Sequence, residues 1–155
     1  MAARQVGFVQ YLERRGFDVR RGPAAFWWRM FVAVWAEPGF HRFWRVWNPL
    51  YGYFLFRLYR LLGGNRRRVV STVVVFLFSG FVLHDLPFIL ITGRVQVTVT
   101  AAFLFYAVSS LFSQVAERQW SLRSWPRTVH TLCNVGLVIA GLGFGAYVQS
   151  HLLSP

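Results

Sequence analysis

Residues 69–91 read VVSTVVVFLFSGFVLHDLPFILI. A helix needs about 20 mostly apolar residues to cross the hydrocarbon of a bilayer, and this run supplies them with only His84 and Asp85 as ionisable groups. Two further runs, residues 95–116 and 129–148, have the same character. The connections between them, residues 92–94 and 117–128, are short. The expected fold is an all-α membrane protein with about three transmembrane helices. Composition agrees: 155 residues, 55% of them hydrophobic, with a mean hydropathy of +0.41, well above the usual soluble share.

Upstream of the first run the chain changes. Residues 1–23 are polar and basic and end in the turn signal Gly22-Pro23. Residues 24–36, AAFWWRMFVAVWA, are apolar but too short to span, so a re-entrant or surface-lying helix is expected. Residues 43–62 are amphipathic at 100° per residue. Trp44, Trp47, Tyr51, Leu55 and Leu58 fall on one side, and Arg42, Arg45, Arg57 and Arg60 on the other. Pro49 interrupts this stretch, which makes Asn48 a natural N-cap and Pro49 the first helical residue. Gly63-Gly64-Asn65 supplies a stop. The chain therefore divides into a basic, aromatic-rich interfacial or re-entrant region, residues 1–68, and a three-helix transmembrane region, residues 69–155.

All 17 basic residues are arginine, and against five acidic residues they give a net charge of +12. In a soluble chain this would suggest nucleic acid. Here the arginines flank apolar runs, so membrane lipids with anionic headgroups are the expected partner and nucleic acid is not. Arg66, Arg67 and Arg68 precede the first run, and Arg118, Arg123 and Arg127 lie between the second and third. By the positive-inside rule both flanks are cytoplasmic, as is the N-terminal half, and the C-terminus lies outside a plasma (inner) membrane. No apolar core with a cleavage site opens the chain, so insertion is expected to use the internal helices. Cys133 is the single cysteine, so an intrachain disulfide is impossible.

Few residues are candidates for chemistry. His84 lies about 22 Å along a helix from Val69, past the middle of a hydrocarbon core of roughly 30 Å. Ionisable groups at that depth usually face a protein interior or a watery cavity. Pro87 implies a kink near Leu83 and His84; the opposing reading ends the span near Leu83 and puts His84 and Asp85 in a loop. Asp85 is expected to pair with an arginine, Arg94 being nearest in sequence. His41, His130 and His151 sit near predicted membrane edges or the terminus. His130 and His84 differ in depth by about 20 Å, which excludes a haem held between them. No metal-ligand spacing, nucleophile elbow or P-loop occurs.

The stretch FWRVWNPLYGYFLFRLYRLLGGNRRR, residues 43–68, followed by FLFSGFVLHD, residues 76–85, resembles membrane-bound O-acyltransferases. The resemblance is carried by Phe43, Trp44, Arg45, Trp47 and Asn48, then Leu62 to Arg66, then Ser79, Gly80 and His84. It implies that His84 is the general base for an acceptor hydroxyl, which then attacks an acyl thioester carbonyl. Asn48 would orient the acceptor or the carbonyl. Trp44, Trp47 and Asp85 would line the substrate site. Arg42 and Arg45 would attract an anionic donor such as acyl-CoA or an acyl carrier thioester, with no cofactor held permanently. Family members are usually longer, with more spans, and this chain covers only the part bearing the two motif residues.

Two function classes follow. One is an acyltransferase catalysing O-acylation; the other is a non-catalytic protein, either a membrane subunit of a larger complex that keeps the motif as packing or a generic cationic, lipid-binding membrane protein. Three spans can hardly enclose a tunnel for a long thioester, so a homo-oligomer or a second membrane subunit is expected. Gly141 and Gly145 form a GxxxG pair that suits close packing of helices, between chains or within one.

Overall fold

The computed structural model describes residues 7–152. Among these the chain is helical, with no strand. In order come α1 (Phe8–Arg14), α2 (Gly22–Phe31), α3 (Phe40–Val46), α4 (Pro49–Leu61), α5 (Arg68–Gly80), a π turn (Phe81–Asp85), α6 (Leu86–Thr92), α7 (Thr98–Trp120) and α8 (Arg127–Leu152). Three helical stretches are long and apolar enough to cross a membrane: Gly64–Thr92, Thr98–Trp120 and Arg127–His151. The protein is an all-α membrane protein.

The spans run back and forth, with α7 packed between α5 and α8. The α7–α8 contact is close because α8 turns glycines toward it. A Cβ on Gly141 would run into the Tyr106 ring, and one on Gly145 into the Thr98 carbonyl. The GxxxG pair is therefore occupied inside the chain. Tyr106 fixes the contact further, its hydroxyl donating to the Val138 carbonyl at 2.8 Å.

The N-terminal elements do not form a separate unit. Residues 1–68 and 69–155 were divided by composition, yet Tyr11, Phe17, Phe40 and Phe43 share one core with Ala102 and Tyr106. Asn134, buried on α8, ties the halves by donating to the carbonyls of Trp35 at 2.8 Å and Glu37 at 3.0 Å. The turn of residues 33–36 is thereby satisfied from a neighbouring helix, as buried backbone acceptors require. Trp27 and Trp28 of α2 are left exposed, a disposition suited to an interfacial belt.

The sequence reading placed the helix break and the cap of α4 correctly. Asn48 is the N-cap, with Pro49 at the first helical position, and Asn48 Oδ1 accepts from the Tyr51 N–H at 3.4 Å. Residues 1–23, read as a polar, basic piece ending in a turn, contain α1. Its Phe8 and Tyr11 rings pack on Tyr53 of α4 at 5.3 and 5.4 Å.

Candidate active site

The first span does not end at Leu83. It passes through the π turn and continues as α6, with Pro87 in the first turn of that helix. A π turn widens the helix by one residue and is often found at functional sites. Here the ring of His84 turns back on its own helix, and Nδ1 donates to the Ser79 carbonyl at 2.8 Å. A carbonyl only accepts, so Nδ1 carries a proton, and in the neutral ring the lone pair then lies on Nε2. The ring also lies against Phe103 of α7, centroids 5.3 Å apart.

Gly80 makes this possible. A Cβ there would stand 2.8 Å from Thr100 Cα and 3.1 Å from the Val99 carbonyl oxygen. Only glycine lets the backbones of α5 and α7 meet at that point. The contact sets the π turn beside the start of α7, where Asp85 is used. Asp85 is fully buried, and its carboxylate accepts from Val99 N at 3.2 Å and Thr100 N at 2.6 Å. These are first-turn amides of α7 that have no partner within their helix. A carboxylate at a helix N-terminus is favourable on both hydrogen-bonding and dipole grounds. Two expectations for Asp85 are corrected on this evidence of geometry: it neither pairs with Arg94 nor lines the substrate site.

His84 and Asn48 line one cavity of about 1150 Å³. Trp44, Trp47, Arg42 and Arg45, the other residues expected at the site, line it as well. Its walls come from α1 and the turn after it, α3, α4, α5, the π turn and α7, while α8 contributes none of the lining. Asn48 is held in the left-handed region (φ 45°, ψ 74°), which asparagine tolerates better than most residues. Its side chain serves as a cap and faces the cavity at once.

Arg42 and Arg45 differ in kind. Arg42 grips Glu117 through two bonds, Nη2 to Oε1 at 2.6 Å and Nε to Oε2 at 3.3 Å, the fork geometry in which guanidinium binds carboxylate best. Arg123 reaches the same carboxylate at 3.0 Å. Arg45 is exposed, and its guanidinium has no carboxylate partner among the described residues. His41 completes the Glu117 cluster. Its Nε2 is 3.0 Å from Glu117 Oε2, and its Nδ1 is 3.2 Å from Ser113 Oγ. Burial, with Arg42, Arg45 and Arg68 adding to it, outweighs the pull of Glu117 and lowers the His41 pKa to about 4. The contact is therefore a hydrogen bond from a neutral imidazole rather than an ion pair, and Ser113 donates to the other nitrogen.

Sequence reasoning missed Glu117, Phe103 and Gln114 of the lining. Glu117 had a signal, being a lone carboxylate flanked by arginines in a chain with five acids. The other two are ordinary residues of an apolar run, and only the packing brings them to the cavity. Among the described residues no group of three or more His, Cys, Asp or Glu is placed to hold a metal ion. No family model matches the chain, and no curated protein or solved structure does either.

Proposed function

We propose that this chain is a membrane-bound O-acyltransferase that moves an acyl group from a thioester donor to a hydroxyl acceptor. The observation that supports it most is the Nδ1–H bond of His84 to the Ser79 carbonyl, which in the neutral ring leaves Nε2 as the base, on a cavity shared with Asn48. The acceptor O–H gives its proton to Nε2 while its oxygen bonds to the thioester carbonyl carbon. The resulting oxyanion takes a hydrogen bond from the Asn48 amide. Collapse breaks the C–S bond, and the leaving thiolate takes the proton back from the imidazolium. The products are an ester and a thiol.

The arginine-flanked ends of the spans lie in the cytoplasm of an inner (plasma) membrane in this reading. Arg45, free of carboxylate, draws the phosphates of an acyl-CoA or acyl carrier thioester toward the cavity mouth. His84 is exposed in the single chain, and Phe81 beside it is 42% exposed. A second copy of the chain covers that side during turnover. The same exposure supports the rival reading, a non-catalytic subunit whose partner holds the chemistry. The two are separated by reconstituting the chain alone in nanodiscs with a short-chain acyl thioester and a hydroxyl acceptor. Hydroxyl-dependent thiol release with ester formation is expected. No ester under any acyl chain length overturns the catalytic reading.

A further inference from the structure

A second cavity of about 450 Å³ adjoins the first and shares Arg15, Arg42 and Arg45 with it. Arg14 and Arg29 complete its basic lining, and Glu37 is its one carboxylate. Three of these arginines come from α1, α2 and the turn after α1, outside the stretch that resembles acyltransferases. Glu37 is spent on Arg29, Oε1 to Nη2 at 2.5 Å. Arg42 is spent on Glu117. Arg14, Arg15 and Arg45 have no carboxylate partner among the described residues.

Arg15 is held here at a cost, between the exposed Arg14 and Arg45. Arg15 is partly buried, its guanidinium 4.8 Å from the Tyr11 ring centroid and donating to the Arg45 carbonyl at 3.2 Å. Burial and the charge of Arg45 lower its pKa, against the pull of Tyr11. Arg29 Nε is buried without a hydrogen-bond partner. Guanidinium groups crowded in a partly dry pocket repel one another unless an anion joins them. Several guanidinium groups lining one small cavity suit tetrahedral oxyanions.

We infer that this cavity is a binding site for a phosphate group, held by Arg14, Arg15 and Arg45, with Arg29 fixed beside them by Glu37. The phosphate belongs to a lipid headgroup or to a soluble phosphate-bearing ligand. The site shares Arg45 with the donor route proposed above, but it does not require acyl transfer, because Arg14 and Arg15 would hold the phosphate whether or not a thioester reacts, and its test reads binding.

The full chain is titrated with inorganic pyrophosphate in neutral detergent. It is also placed in nanodiscs of phosphatidylcholine alone or mixed with phosphatidylglycerol. Binding is read by tryptophan fluorescence and by the rise in melting temperature. The double variant Arg14→Gln/Arg45→Gln should weaken binding by about tenfold or more, as expected for lost charge-assisted hydrogen bonds. Arg66→Gln/Arg67→Gln removes equal charge from exposed positions outside both cavities; it should leave pyrophosphate binding unchanged and weaken the phosphatidylglycerol response far less than the first pair. A response to pyrophosphate alone assigns a soluble ligand, and one to phosphatidylglycerol alone assigns a headgroup. No response in either setting overturns the site. Equal weakening by both double variants also overturns it, since diffuse positive charge would then explain the binding. Arg14→Gln alone, at an exposed side chain, carries the same test if the double variant does not fold.

Discussion

The imidazole of His84 is hydrogen-bonded to the carbonyl of Ser79, five residues earlier on the same span, across a single π turn. The bond fixes which ring nitrogen can act as a base without enlisting any other side chain. It differs from the arrangement in which a carboxylate orients the histidine; Asp85, next in sequence, is turned away to cap α7. The imidazole is positioned by backbone, and the backbone is positioned by the Gly80 contact with α7.

The first prediction follows from that geometry. His84→Ala should lower the rate of acyl transfer by roughly a hundredfold or more, the usual contribution of a general base. His84 makes no buried ion pair, so the variant should elute from detergent gel filtration as the wild type does. A folded variant with wild-type ester formation would remove His84 from the mechanism.

A second prediction concerns the glycine pair of α8. Leucine at position 141 must displace the buried Tyr106 ring, and overpacking of this kind costs about 1–3 kcal/mol or more. Gly141→Leu should lower the melting temperature in detergent and leave the particle mass unchanged. A changed mass with an unchanged melting temperature would show that the face is an interface between chains instead.

Much of this architecture was readable in the chain, for physical reasons that differ by residue. The spans were legible because length and apolarity are forced by the bilayer. The break at Asn48-Pro49 was legible because proline has only one good place at a helix start. Helix α1 was not: Phe8, Tyr11 and Leu12 look unremarkable until Tyr53 and Phe56 are brought to them by the fold. Asp85 was misjudged for a related reason. Its partners are backbone amides 14 and 15 residues on, and backbone amides leave no mark in a sequence. The GxxxG spacing was visible, but close approach of helices reads the same within a chain as between chains. The meeting of Asn48 and His84 on one cavity was expected only through the family resemblance, because no local rule links residues on two helices.

A third prediction uses acidity. His41 titrates near 4 when folded and near 6.5 when unfolded. Between these values the unfolded chain binds a proton that the folded chain refuses, so stability falls as pH drops from about 6.5 to about 4 and levels off below. Above 6.5 this group has no pH effect. The loss is at most about 3 kcal/mol, from the size of the shift. Thermal melts across this window should show the decline, and His41→Gln should flatten part of it. An identical slope in the variant would assign the decline to other groups.

The last prediction separates the two duties of Asn48. Its Oδ1 caps α4 through the Tyr51 amide, and its Nδ2 is the donor that the acyl-transfer mechanism needs. Asn48→Asp keeps an oxygen for the cap and places a negative charge at a helix N-terminus, where the dipole favours it. It deletes the donor and sets a carboxylate facing the developing oxyanion. The variant should therefore fold with near wild-type stability, yet lose about a hundredfold or more in rate, as for an oxyanion donor removed. Asn48→Gly makes the complementary change. Glycine accepts the positive φ without strain and costs the cap only a few tenths of a kcal/mol, and it also lacks the donor. Both variants should be slow and stable. If Asn48→Asp retains full activity, the amide contributes nothing to the transition state and Asn48 is a cap alone. If both variants are inactive because they no longer fold, the position is essential to the fold and the catalytic assignment of Asn48 fails.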